Sequence, residues 1–375
     1  MRWGARTGER GGSVIRAARF LGGYLRQERA RVREEEVSIP MPQGGAVEGT
    51  FYLPRGARRA PGWVVLHGVT VPGRRHESLL RFSRAMAASG AAVLVPDVPA
   101  WRELRVRSET ARVALLGATA YLRERPEVQL GGLGVVGFSF GATHALIAST
   151  YPGLRDVVRT VVGFGGYCDL RREVRCMFTG EHEWEGRAFR LDPDPYGRWI
   201  LAGNYLTGVP GMEGMGRVAD EARELAAEAG RRRTFAGEAD YDPLKAAARA
   251  RLSPEEHPVW DLLAPPFGTP IRDMDRARAL ADGLADAALA ADPALDPRHA
   301  LPELRARVVL AHGEADRLIP FTESLRMHAA LPERLDRSVT ITRLFAHSTG
   351  SAAVRAVEYG VEGLRFFQLL RRALR

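Results

Sequence analysis

The chain has 375 residues, 45% hydrophobic and 26% charged, an ordinary balance for a folded protein with a substantial core. Its net charge of +9 does not point to nucleic acid. Lys245 is the sole lysine among 54 basic residues, and the arginines are spread along the whole chain with no nucleic-acid motif.

No apolar run is long enough to span a membrane, and the N-terminus lacks the continuous apolar core of a signal peptide. Cys168 and Cys176 supply neither a disulfide framework nor a metal quartet, and read as reduced thiols of a cytoplasmic protein. No cofactor motif is present.

In chain order, residues 1–12 are rich in Gly and Arg and read as disordered. Val14, Ala18, Leu21, Leu25 and Val32 then recur at helical spacing opposite Arg16, Arg19, Arg26 and Arg33. The basic helix over 1–33 is expected to dock on its own domain, with weak peripheral contact to an anionic membrane as its other use. Alternation at Val37, Ile39, Met41 and again at Val47, Phe51, Leu53, around "PQGGA", predicts an antiparallel hairpin.

Short apolar runs follow at 63–66, 91–95, 133–136, 160–164, 307–311 and 339–345. Such runs suit strands buried on both faces of a mostly parallel sheet. Helical patterns at about 76–89, 108–124, 140–150, 321–330 and 350–374 separate most of them. Residues 170–300 break this rhythm with Pro-rich joints, helical stretches at 217–229 and 274–291, and no strand pattern. They read as a helical insertion between a first core segment, 34–169, and a second, 301–375.

Within "LGVVGFSFGATHAL", a buried-strand run passes through Gly137-Phe138-Ser139-Phe140-Gly141 into a helix-compatible stretch. A serine on that strand-to-helix turn stands at the carboxyl end of a strand, and its neighbours two residues away must be small. Ser139 is therefore the candidate nucleophile.

Its base should be a histidine in a loop at the sheet's end. His67 and His312 directly follow strands and are assigned elsewhere, and His144 lies on the elbow helix. His347, in "FAHSTG" after the last strand, is the candidate. An acid must hold the imidazole in one tautomer. Asp316, in "HGEADRLIP", is the candidate and Asp169, after the preceding strand, its rival. Backbone amides should hold an oxyanion: Phe140 at the helix start, and Val69 or Thr70 in the loop after "WVVLHG", with Val69 favoured. Arg74, Arg75 and His76 stand nearby and read as a solvated first helical turn, with binding of a substrate anion as their other use.

The order Ser139…Asp316…His347, with "LHGVT", "VPDVP", "GFSFG", "HGEADRLIP" and "AHS", resembles the α/β-hydrolase superfamily, in its bacterial serine esterase-like branch. The resemblance covers about 35–169 and 301–375. It implies a mostly parallel sheet flanked by helices, with 170–300 in the place of a lid. It also implies a metal-free, cofactor-independent hydrolase acting on a small-molecule ester. The superfamily's acyltransferases, thioesterases and peptidases use the same residues, and some members bind ligands without turnover.

Overall fold

The computed structural model describes residues 4–26, 32–232, 235–344 and 360–375. Helix α1 (Gly4–Leu25) leads into the antiparallel pair β1 (Val32–Pro40) and β2 (Ala46–Pro54). Next come β3 (Ala60–Leu66), α2 (Glu77–Ala88), β4 (Ala92–Pro96), the short α3 (Pro99–Arg102) and α4 (Glu109–Glu124). Then follow β5 (Val128–Phe138), α5 (Phe140–Ala148) and β6 (Val158–Phe164).

Beyond β6 lie α6 (Leu170–Thr179), β7 (Glu181–Trp184), β8 (Arg187–Arg190), α7 (Tyr196–Tyr205) and α8 (Gly216–Arg232). After them run α9 (Asp242–Arg251), α10 (His257–Leu263) and α11 (Met274–Ala291). The remaining elements are β9 (Arg307–Gly313), α12 (Phe321–Ala330), β10 (Arg337–Thr342) and α13 (Gly360–Ala373).

Among the described residues eight strands form one sheet, in the order β1-β2-β4-β3-β5-β6-β9-β10. Strand β2 runs antiparallel to both its neighbours, and the pairs from β4 to β10 are all parallel. Alternation along β3 explains the layers. Trp63 and Val65 pack in a cluster with Phe20 of α1, Phe82 and Met86 of α2, and Leu369 and Leu370 of α13. Val64 and Leu66 face the opposite cluster, with Leu115 of α4, Leu146 of α5 and Met327 of α12. A strand apolar on both faces needs helices on both sides, and the chain supplies them.

Strands β6 and β9 pair directly, Val161 opposite Val308, so the long excursion between them leaves the sheet unbroken. That excursion is mostly helical but contains the hairpin β7–β8, which the sequence does not predict. Two strands of four residues, "EHEW" and "RAFR", are too short and polar to show a period. His182 stacks on Phe189, and both rings meet Phe321 edge-on, which fixes the hairpin to α12.

Helix α1 differs from expectation in extent and in face. It begins at Gly4, within the stretch read as disordered, and Val32 belongs to β1, so the strand starts inside the 1–33 segment. The stripe Val14, Ala18, Leu25 points outward, Val14 being 39% and Leu25 58% exposed. Ala17 and Phe20 are among the buried residues, with Phe20 edge-on to Phe82 at 5.3 Å. The reason is close packing. A Cβ at Gly23 would stand 2.8 Å from that of Ala88, and Arg81 lies over the Tyr24 ring while donating to the Tyr24 carbonyl at 2.9 Å. Among the described residues no helix is long and apolar enough to cross a membrane.

Candidate active site

Ser139 occupies the turn between β5 and α5 with φ 56° and ψ −128°, a conformation that costs a non-glycine residue about 1–3 kcal/mol. The turn is held from several sides. The Ser139 N–H donates to the Phe164 carbonyl of β6 at 2.7 Å, and the Ala142 N–H donates to the Ser139 carbonyl at 2.8 Å.

The flanking glycines are demanded by contact. A Cβ at Gly137 would lie 2.2 Å from the Gly141 oxygen, and one at Gly141 would lie 2.4 Å from the His67 oxygen. Gly68 is seated against the serine, since a Cβ there would be 3.1 Å from that of Ser139. The loop after β3 thus lies beside the serine at the carboxyl ends of the parallel strands, where open α/β sheets place their sites. Phe140 opens α5, a position whose N–H has no partner within the helix. Its half-buried ring meets Trp101 edge-on at 5.3 Å. Val69 is buried.

Three histidines near the turn are committed to structure. His67 donates from Nδ1 to the Gly68 carbonyl at 2.7 Å and accepts the Val98 N–H at Nε2, at 3.2 Å. Burial pushes its pKa down to about 4, so the ring is neutral. Buried His144 lies against the Phe140 ring at 4.0 Å, and burial pushes it down to about 3. His312 pairs with the Ser324 hydroxyl at 2.7 Å and donates to the Ile319 carbonyl at 2.9 Å. His347, the sequence-predicted base, lies outside the described residues.

Asp316 is buried just after β9. One carboxylate oxygen accepts the Leu318 and Ile319 amides at 2.8 and 3.0 Å, and the other lies 3.4 Å from His312 Nε2. Asp169 is occupied differently. It caps α6 by accepting the Arg172 N–H at 3.1 Å, and its second oxygen meets Arg172 at 3.1 Å and Arg298 at 2.8 Å. Glu314 is half-exposed and pairs with Arg343 at 2.6 Å.

Arg74 departs from the solvated turn expected of it and is buried. Its guanidinium is buried against Glu36 and Thr50, at 2.7 and 2.6 Å, so the sheet edge consumes the charge that a substrate anion would need.

Several residues escaped the sequence reading. Buried Glu323 accepts the Cys168 and Asp169 amides at 2.8 and 2.9 Å and pairs with Arg172 at 2.9 Å, pinning the end of β6 to α12. Glu173 is fully buried, and neither carboxyl oxygen has a hydrogen-bond partner. Burial, reinforced by the Glu323 and Asp316 charges, raises its pKa well above the ordinary carboxylate value. Tyr196 donates its hydroxyl to the Val69 carbonyl at 3.2 Å. No pattern distinguishes these glutamates from ordinary solvated helix residues, or this tyrosine from its aromatic neighbours.

No protein-family model and no curated protein matches the chain. Solved structures do. An acylaminoacyl peptidase of Pyrococcus horikoshii aligns at 12% identity and TM-score 0.47, over 94% of this chain and 42% of that one, so this chain spans less than half of the peptidase. A brefeldin A esterase, described as a bacterial homologue of human hormone-sensitive lipase, aligns at 18% identity and TM-score 0.49, over 97% and 86%. Est1E from Butyrivibrio proteoclasticus, solved with ferulic acid, aligns at 11% and 0.48, over 90% and 99%. Likeness this distant says nothing of the reaction. The sheet order, its reversed second strand and the serine-bearing turn between β5 and α5 are those of the α/β-hydrolase fold.

Proposed function

We propose that the chain is a serine hydrolase that cleaves a carboxylic ester of a small molecule, with neither metal nor cofactor. The observation that carries this reading is the strained backbone of Ser139, with Gly68 pressed against it. In the proposed reaction Ser139 Oγ attacks the ester carbonyl carbon while His347 takes the hydroxyl proton. Asp316 holds the imidazole in the required tautomer. The Val69 and Phe140 amides donate to the tetrahedral oxyanion. Collapse expels the alcohol, which takes the proton from His347, and water activated by the same histidine then releases the acid. Residues 170–300 act as the lid that selects the substrate, and the two buried, unpaired cysteines fit a cytoplasmic setting.

A fluorophosphonate tests the reading, because its serine adduct mimics the tetrahedral intermediate. Stoichiometric labelling is expected on the peptide holding Ser139, and His347→Ala should abolish it. Absence of label on folded protein, or label on another residue, would refute the mechanism.

Helix α1 carries a second proposal, peripheral contact with an anionic lipid surface. Its outer side exposes Val14, Ile15 and Leu25 beside exposed Arg16, Arg19 and Arg26, an apolar stripe with a cationic border. Association with phosphatidylserine vesicles should weaken as salt rises and be lost in Ile15→Glu. Equal sedimentation of the variant and the parent would sink it.

A further inference from the structure

The loop after β3 is held by its carbonyls. The Gly68 carbonyl accepts from His67 Nδ1 at 2.7 Å, and that of Val69 from the Tyr196 hydroxyl at 3.2 Å. The Thr70 carbonyl accepts the Gly73 N–H at 3.0 Å, and the Val71 carbonyl accepts from Arg102 Nε at 3.3 Å. In a trans peptide the N–H points opposite to the C=O. A bound carbonyl therefore fixes where the amide of the same unit points. His67 fixes the unit carrying the Val69 amide, and Tyr196 fixes the next. Three of these four donors belong to the same stretch of core, residues 67–102. The Tyr196 hydroxyl alone reaches in from the excursion between β6 and β9.

That hydroxyl is itself well anchored. The Asp194 N–H donates to the Arg317 carbonyl at 2.9 Å, and Arg317 donates from Nε to the Asp192 carbonyl at 2.8 Å while pairing with the Asp192 carboxylate. The carboxylate of Asp194, which is 2% exposed, accepts the Tyr196 and Ala236 amides at 2.9 and 3.1 Å. Residues 192–196 therefore form a strap. One end is tied to the residue next to Asp316 and the other to the loop beside Ser139. Helix α8 packs closely on the same loop at Gly230, where a Cβ would lie 3.1 Å from the Val71 side chain.

We propose that Tyr196 is a positioning residue that sets the oxyanion loop: His67 holds the peptide unit before Val69 and the Tyr196 hydroxyl locks the unit after it, so that Val69 is clamped from both sides and its amide stays aimed at the tetrahedral oxygen. The proposal rests on the reading of Val69 as an oxyanion donor. It makes the insertion a working part of the site as well as its cover, because the strap couples the acid loop to the oxyanion loop through one phenol. Tyr196 touches neither the serine nor the substrate carbonyl in this role, and it acts through the backbone it holds.

Tyr196→Phe in the full chain removes only the hydroxyl. On a short activated ester, kcat should fall by about 10-fold, less than the ~10²–10³ lost when a donor itself is removed. KM should stay within about twofold, since ground-state binding is untouched. A trifluoromethyl ketone, which adds reversibly to a serine as a tetrahedral oxyanion, should lose affinity by the same factor as kcat. Fluorophosphonate should label the variant to full stoichiometry, only more slowly. Parental kcat, a change confined to KM, or a loss of labelling amplitude matching the loss of rate would overturn the proposal, the last by showing that the phenol only keeps the site folded. If the parent itself is not labelled at Ser139, the hydrolase reading falls and takes this inference with it. An active parent with an indifferent variant removes the inference alone.

Discussion

Ser139→Gly should give an inert protein that is more stable than its parent. The serine holds φ 56° and ψ −128°, where a Cβ is strained and glycine is at ease. Its side chain makes no capping hydrogen bond to α5, so little is lost with it. Relief of strain should exceed the extra chain entropy of glycine, leaving a net gain of about 1 kcal/mol.

Ser139→Ala separates the two effects. It keeps the Cβ and the strain, and should unfold at the parental urea midpoint. Both variants should lose ester hydrolysis by about 10⁶-fold, the scale seen when a triad nucleophile is removed. A glycine variant no more stable than the alanine variant would show that the turn stores no strain. Hydrolysis surviving in either would remove Ser139 from the reaction. On the hydrolase proposal, the less stable residue is kept because the strained turn presents Oγ to a substrate carbonyl.

The elements with strong periods were legible from residue order alone. Runs such as "WVVL" and "RVVLA" are apolar at successive positions, which only a strand covered on both faces tolerates, and both lie in the sheet's interior. The elbow was legible because its glycines answer to backbone a few ångströms away, from Gly141 and His67.

Helix α1 misled because two apolar stripes share it. Val14 and Leu25 make the more hydrophobic one, yet Phe20 and Gly23 fit against α2, and shape decided which side turned inward. The strap was illegible for another reason. Tyr196 is one aromatic among several in a Pro-rich stretch, and its partner is a backbone carbonyl 127 residues away that leaves no mark on the sequence. Asp316 is preferred in the sequence but Asp169 stands as its rival for a similar reason, because both carboxylates follow strands. Their difference lies in which donors reach them.

That difference sets the remaining large effect. Asp316→Asn should lower kcat by about 10³–10⁴-fold, the loss expected when the group orienting a catalytic imidazole becomes an amide and selects the wrong tautomer. The fold should survive. The asparagine carbonyl oxygen can still accept the Leu318 and Ile319 amides that the carboxylate holds at 2.8 and 3.0 Å.

Asp169→Asn should behave in the opposite way. Its carboxylate is taken up by the α6 cap and by Arg172 and Arg298, so it has no oxygen to spare for an imidazole. Asparagine caps a helix about as well as aspartate, but it gives up both ion pairs. The cost should therefore fall on the urea midpoint, with kcat near that of the parent. Measuring kcat and unfolding on the same two preparations decides the matter. If Asp169→Asn cripples turnover while Asp316→Asn spares it, the acid belongs to the end of β6, and the strap's tie to Arg317 loses its catalytic meaning.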